Sequence, residues 1–335
     1  FSGGDIFTTD PGATGTGNTS AGENLTFTIR GNATVNTVAT LTLRSPENLF
    51  PPQTYTIVAQ DEQPNCYFLT PNTGEITIPV NKAYRVWKYD RDLRDLNPNG
   101  DLPTGGKAVQ VLWQDSPGLI TATFSPAPAP GQLTVTAGTG TGNAVVAFTI
   151  DGTVYWSWHI WVTEQSAIGD RTYREFRIMD RYLGATDATP GSTGTIGLFY
   201  QGGRKDPFPF SNNFTTYTFK PIYNENGQTL PWNTPASGGI NSEAAPPNGG
   251  LPLSINNPLV FYRGTYGTLD WYGQLSDARP YLWHPELKSD FDPCPAGWRV
   301  MDSDVAFNIP GMNFNSNGYL WNGLYFPAQG YMGYN

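Results

Sequence analysis

The chain reads as a mainly β protein, with a β-sandwich in its first half and an irregular, loop-rich second half. Three observations predict this. Aromatic residues make up 14% of the 335 positions and charged residues only 14%, so there is enough apolar surface to offset the entropy of ordering. The 38 Gly and 29 Pro punctuate short segments rather than long helices. Many of those segments alternate apolar and polar residues, as half-buried strands do.

Residues 1–24 are Gly/Thr-rich without apolar periodicity and read as an extended leader or donor segment. From Leu25 the pattern changes. Leu25–Ile29, Leu41–Leu43, Tyr55–Val58, Cys66–Leu69, Ile76–Val80, Ala108–Trp113, Leu119–Phe124, Leu133–Val135, Asn143–Ile150 and Thr153–Thr163 read as strands. Their number and spacing predict one or two immunoglobulin-like sandwich units over 25–165. Asp151-Gly152 is a tight hairpin turn, because both residues tolerate positive φ, so the segments on either side of it pair antiparallel. The Pro-rich stretch Ser125–Gly131 lies between two strands and reads as a stiff loop. A domain boundary is expected at Gln165–Asp170, with a second domain over 171–335. That region lacks sustained helical periodicity, apart from one short helix expected after Asp302 as cap. Residues 211–260 read as long surface loops of the kind that carry function.

The net charge of −9, with 19 basic residues that read as singly spread, offers no stripe for phosphate neutralisation, which argues against a nucleic-acid partner. No run reaches the roughly 18 apolar residues of a membrane span. The N-terminus lacks an initiator Met and a signal pattern, so the chain is expected to be cut from a longer precursor. Cys66 and Cys294 allow a single pairing and otherwise stand as two buried thiols. Four glycosylation sequons, at Asn18, Asn24, Asn32 and Asn213, suit a Thr/Asn-rich surface.

Little material exists for catalysis. The two histidines, His159 and His284, are too few for a triad or a zinc cluster. In a strand, Trp156, Trp158 and Ile160 share a core face, leaving Ser157, His159 and Trp161 on a partly covered second face. Asp95-Leu96-Asn97-Pro98-Asn99-Gly100-Asp101 has the alternating oxygens and sharp glycine of a calcium loop. Asp95, Asn97, Asn99 and Asp101 are therefore candidate ligands, and calcium is the one cofactor this spacing admits. The twelfth loop position is Gly106, however, so the bidentate carboxylate is missing, and an Asx-rich turn is the structural alternative. No phosphate loop, nucleophile elbow or zincin motif occurs, and the chain is not read as an enzyme. Aromatic side chains on Gly-rich loops suit carbohydrate, whose C–H faces stack on rings. Trp232, Tyr262, Tyr266, Trp271, Tyr272, Trp283 and Trp321 are the candidate ligand-binding residues, most of such a pool being expected to pack a core.

Three segments carry a resemblance. They are Arg177–Thr186, Gly197–Pro209 and Asp292-Pro293-Cys294-Pro295-Ala296-Gly297-Trp298-Arg299-Val300. They resemble the C-terminal lectin-like domain of Bacteroidales fimbrillin-type surface proteins, including tip-like subunits of type V pili. Asn65-Cys66-Tyr67, Val111–Gln114 and Asn143–Thr163 resemble the sandwich that precedes it, so the resemblance spans roughly residues 60–330. It implies a C-type-lectin-like fold for 171–335 and a cell-adhesion role in a fimbrium or pilus. It also implies an extracellular, outer-membrane-attached location. Partners would be other subunits joined by strand donation, and a host or bacterial glycan or protein ligand. The runner-up reading is a glycan-binding module of a polysaccharide-utilisation system. The calcium-dependent sugar motifs are not intact: Gln63-Pro64-Asn65 lies in the first half, and Trp321-Asn322 is followed by Gly323. Related domains continue past a segment like Tyr325–Tyr331, so the second domain is expected to be incomplete at Asn335, through truncation or processing.

Overall fold

The computed structural model describes residues 38–43, 51–58, 63–90, 92–96, 101–174, 176–209, 219–231, 241–244, 250–263, 271, 282–284, 288–301, 313–315 and 317–329. The chain divides into two compact units, Phe1–Gln63 and Pro64–Asn335. In the first, β1 (Val38–Leu43) pairs antiparallel with β2 (Gln53–Val58), from Val38↔Val58 to Leu43↔Gln53. The expected leader and the strand at Leu25–Ile29 lie outside the described residues, as does the helix expected after Asp302.

The second unit is mainly β, and its first half runs β3 (Cys66–Leu69), β4 (Glu75–Pro79), α1 (Asn81–Tyr89), β5 (Lys107–Gln114), β6 (Ile120–Ser125), β7 (Gln132–Ala137), β8 (Gly142–Ile150) and β9 (Thr153–Val162). One sheet has the order β4-β7-β6 and is antiparallel throughout. A larger sheet contains β5-β8-β9-β3, in which β3 runs parallel to β9, with Cys66 opposite His159 and Leu69 opposite Val162. The two sheets share one core: Ile78, Leu133 and Val135 from the smaller pack with Val146, Phe148 and Ile160 from the larger. Period-2 patterning explains the sharing. In β7, Leu133, Val135 and Ala137 are buried while the residues between them are half-buried.

The β8–β9 hairpin turns at Asp151 (φ 49°) and Gly152 (φ 80°), the left-handed pair that an Asp-Gly turn supplies. Helix α1 falls between two expected strands. Its stripe Ala83, Val86 and Trp87 has helical spacing and is buried, and the Trp87 indole N–H donates to the Tyr155 carbonyl at 2.8 Å. Lys82 and Arg85, along one edge of that stripe, are buried as well.

The second face of the large sheet departs from expectation. It is covered rather than partly covered: every residue of β8 is buried, and so is every residue of β9 from Trp156 to Val162. The cover comes from the second half of the chain, where Leu198, Phe208, Ile222 and Leu230 pack on Leu112, Trp113, Val145, Ala147 and Val154. The compact unit Pro64–Asn335 thus runs through residues 165–170.

The second half also contains more regular structure than its composition suggests. Strands β10 (Asp170–Tyr173) and β11 (Phe176–Met179) form a hairpin, and β12 (Phe199–Tyr200) pairs with β13 (Pro207–Phe208). Strands β14 (Ile222–Tyr223) and β15 (Thr229–Leu230) extend the large sheet beyond β5, giving it six strands. Strand β16 (Asn241–Ala244), helix α2 (Gly250–Asn256) and β17 (Val260–Arg263) follow, with β16 parallel to β17. Strands β18 (Asn313–Asn315), β19 (Gly318–Trp321) and β20 (Leu324–Pro327) form a small antiparallel sheet. Among the described residues no helix is long and apolar enough to cross a membrane.

Candidate functional site

Of the sequence-predicted residues that are described, Tyr262 and Trp271 meet around one guanidinium. Trp232, Tyr266, Tyr272, Asn97 and Asn99 lie outside the described residues, and of Asp95 only the backbone is described, in a single 3-10 turn, Arg94–Leu96. Asp101 is exposed, 3.8 Å from Lys88 Nζ. Among the described residues no group of three or more His, Cys, Asp or Glu side chains is placed to hold a metal. Trp283 is half-buried and donates its indole N–H to the Phe291 carbonyl at 3.2 Å.

Tyr262 and Trp271 are only 4% and 5% exposed, because their rings surround a guanidinium. Arg204 lies 5.1 Å from the ring centre of Phe208 and 5.7 Å from those of Tyr262 and Trp271. Its Nη1 donates to Gln201 Oε1 and the Val260 carbonyl, and its Nη2 to the Ser254 carbonyl. Next along the chain, Lys205 Nζ donates to Ser157 Oγ at 2.5 Å and to Asp206 Oδ1 at 2.6 Å, while Ser157 donates to the same Asp206 oxygen. The ammonium also sits 4.6 Å above Trp156. Ser, Lys and Asp in mutual contact are the parts of an activated nucleophile. Here all three are at most 3% exposed. The arrangement satisfies buried charge and rivets residues 201–208 to β9.

His159 is likewise enclosed. Burial pushes its pKa down to about 3, which keeps it neutral. Asn143 uses its amide N–H groups on Asp115 and the Gly184 carbonyl, so its Oδ1 accepts from His159 and Nε2 carries the imidazole proton. Cys66 and Cys294 are buried free thiols, both pushed up in pKa by burial. Asn65 donates to the carbonyls of Asp290 and Asp292 and accepts from Trp156 Nε1. Arg85 grips the Asp290 carboxylate with both Nη atoms. These contacts tie the chain near residue 290 to α1 and β9. Lys82, 5.6 Å above Trp156, is driven down to a pKa of about 7 by burial, Asp290 opposing the shift and Arg85, Lys288 and Lys205 adding to it.

Among the described residues, a further cluster of arginines and aromatic rings lies partly open to solvent. It is built on the β10–β11 hairpin, whose last pair is Tyr173↔Phe176. The ribbon puts Arg171, Tyr173, Phe176 and Ile178 on one face and Asp170, Thr172 and Arg177 on the other. On the first face, Arg174 lies 5.2 Å from the centre of the Tyr173 ring, and Arg299 lies 6.0 Å from that of Phe176. Trp321 meets Tyr173 edge to face at 5.7 Å. Arg171 Nε donates to the Asn322 carbonyl, joining the hairpin to the β19–β20 turn. Ile178, Leu324 and Phe326 form the small core beneath. On the second face, Arg177 is paired with Asp170, which holds that carboxylate below its usual range, and stacks on Trp298. Beside this surface Tyr319 and Leu320 are each 41% exposed. Of the predicted pool, Trp321 belongs to this cluster.

The arginines were missed because the basic residues read as singly spread. The signal is nonetheless local: three arginines, at 171, 174 and 177, interleave with Tyr173 and Phe176 within seven residues of an acidic chain. No family profile, curated protein or solved structure matches the chain.

Proposed function

We propose that this chain is an extracellular adhesive surface subunit, of pilus or fimbria type, that attaches through an aromatic and cationic face. One observation carries the reading. Among the described residues Ser157, Lys205, His159, Cys66 and Cys294 are buried, whereas Arg171 and Arg174 are exposed beside the half-buried rings of Tyr173, Phe176 and Trp321. A binding surface on a rigid β scaffold is what attachment requires.

Two finer readings accompany it. The strand order β5-β8-β9-β3 over β4-β7-β6, with its first strand parallel to its last, supports an immunoglobulin-like sandwich. Residues 171–335 are read as the lectin-like head that the fimbrillin resemblance implies. Strands β4 and β6 each pair only with β7 among the described strands, so the smaller sheet offers edges at which a neighbouring subunit adds a strand.

The test is location and assembly. Immunogold labelling and surface proteolysis of the producing cell are expected to find the chain outside the outer membrane, within filaments. A chain recovered from the cytoplasm sinks the proposal. Surface location with selective glycan binding but no incorporation into filaments favours the polysaccharide-utilisation module instead.

A further inference from the structure

We infer that the face formed by Arg171, Arg174 and Arg299 with Tyr173, Phe176 and Trp321 binds an anionic glycan, a polysaccharide bearing carboxylate or sulfate groups. The inference rests on the adhesive reading and names the ligand class for it.

Charge supplies the first argument. The chain carries −9 overall, yet three guanidinium groups gather on one small face. Among the described residues none of the three is in an ion pair. Arg174 and Arg299 rest on aromatic rings, and among the described residues Arg171 donates to the carbonyls of Asn322 and Asp170. Among the described residues, buried Arg85 and Lys205 and half-buried Lys288 each have a carboxylate partner, Asp290, Asp206 and Asp292. Asp170 feels Arg171 as well as its partner Arg177, yet three guanidinium groups without an ion-paired carboxylate among the described residues still favour a polyanion.

Geometry supplies the second. A guanidinium offers parallel N–H groups that match carboxylate or sulfate oxygens, and stacking on a ring pre-organises it without using those donors. The rings serve twice. Tyr173 and Phe176 orient the cations, and half-buried Trp321 offers an apolar surface for sugar C–H groups. Alternating cation and ring is the pattern that a chain of acidic sugars presents in reverse, each residue having an apolar face and a charged edge.

Backbone conformation supplies the third. Arg174 holds φ at 52° where the hairpin turns, a left-handed position that glycine or asparagine fills at less strain. An arginine kept there is held at the tip of the ribbon, exposed.

The hairpin contains its own control. Arg177 is exposed, three residues from Arg174, but sits on the opposite face and is neutralised by Asp170. Binding of the full chain to polygalacturonate and heparin, measured by affinity electrophoresis or calorimetry, is expected to weaken as salt rises. The triple variant Arg171→Ala/Arg174→Ala/Arg299→Ala is expected to lose at least about tenfold in affinity with an unchanged melting temperature, whereas Arg177→Ala changes affinity by less than about twofold. A preference for heparin or for polygalacturonate assigns the recognised group as sulfate or carboxylate. Equal binding of dextran, equal binding of single-stranded DNA, or full binding by the triple variant overturns the inference. These outcomes leave the adhesive reading standing if the chain is found in surface filaments. A cytoplasmic chain overturns that reading whatever the glycan result.

Discussion

Residues 201–208 and 170–177 use the same chemical types for opposite ends. In both, arginines stack on aromatic rings close to an aspartate. In the first, Arg204 is 1% exposed, ringed by Phe208, Tyr262 and Trp271, with three acceptors on its Nη atoms. In the second, Arg171 and Arg174 are exposed and their donors are largely left to solvent. The pairing of cation with ring therefore says nothing about role. What distinguishes a rivet from a binding face is whether the guanidinium is enclosed, with its Nη groups held by acceptors of the same chain, or exposed.

That contrast makes its largest prediction at Arg204. Arg204→Ala strands the Val260 and Ser254 carbonyls and leaves Asp206 with fewer cations in a dry setting, so a loss of about 3–5 kcal/mol is expected in denaturant unfolding. Arg171→Ala, on the exposed face, is expected to stay within about 0.5 kcal/mol. Comparable losses at the two positions break the distinction.

A smaller effect sharpens it through pH. Lys82 is buried with Arg85, Lys205 and Lys288 near it and Asp290 as its nearest counter-charge, and its folded pKa is about 7 against an ordinary value of 10.5. Between those values the unfolded chain binds more protons than the folded one, so stability rises with pH above 7. The raised thiol pKa of Cys66 acts in the opposite direction above its ordinary value of 9.0, which confines the rise to the interval from about 7 to 8.5. Unfolding midpoints measured across that interval are expected to climb, and to climb less steeply in Lys82→Met, where Lys205, also lowered in pKa by burial, is left to contribute. An unchanged slope in the variant removes Lys82 as its source.

The smallest effect is at the hairpin tip. Arg174→Gly relieves the left-handed conformation but loosens the unfolded chain, for a net gain below about 1 kcal/mol in thermal unfolding. A loss instead means that the stacked guanidinium on Tyr173 outweighs the backbone term.

Legibility in the sequence follows the range of the interactions. The β8–β9 hairpin is readable because its cause, two residues tolerant of positive φ, is local. Strand periodicity likewise locates β3 to β9 closely. Helix α1 is missed because only three apolar residues mark its stripe, between segments that alternate as strands. The covered second face of β9 is half readable: alternation tells which residues share it, but Leu198, Phe208, Ile222 and Leu230, which cover it, are joined to it only by the fold. Tyr262 and Trp271 fail as ligand candidates for the same reason, since composition records a ring and not whether a guanidinium or water lies against it. Trp321 is placed in the exposed cluster by Tyr173, a contact between distant parts of the chain.

The parallel pairing of β3 with β9 has a mechanical meaning. Tension applied between Pro64 and Val162 would pull these strands past one another along their length, because the start of β3 and the end of β9 lie at opposite ends of the pair. All of the interstrand hydrogen bonds then share the load at once instead of opening one after another. The Asn65 side chain, anchored to the carbonyls of Asp290 and Asp292, adds a crosswise tether at the point where the load enters. For this strand pair, shearing along the strands is therefore expected to need more force than peeling them apart bond by bond.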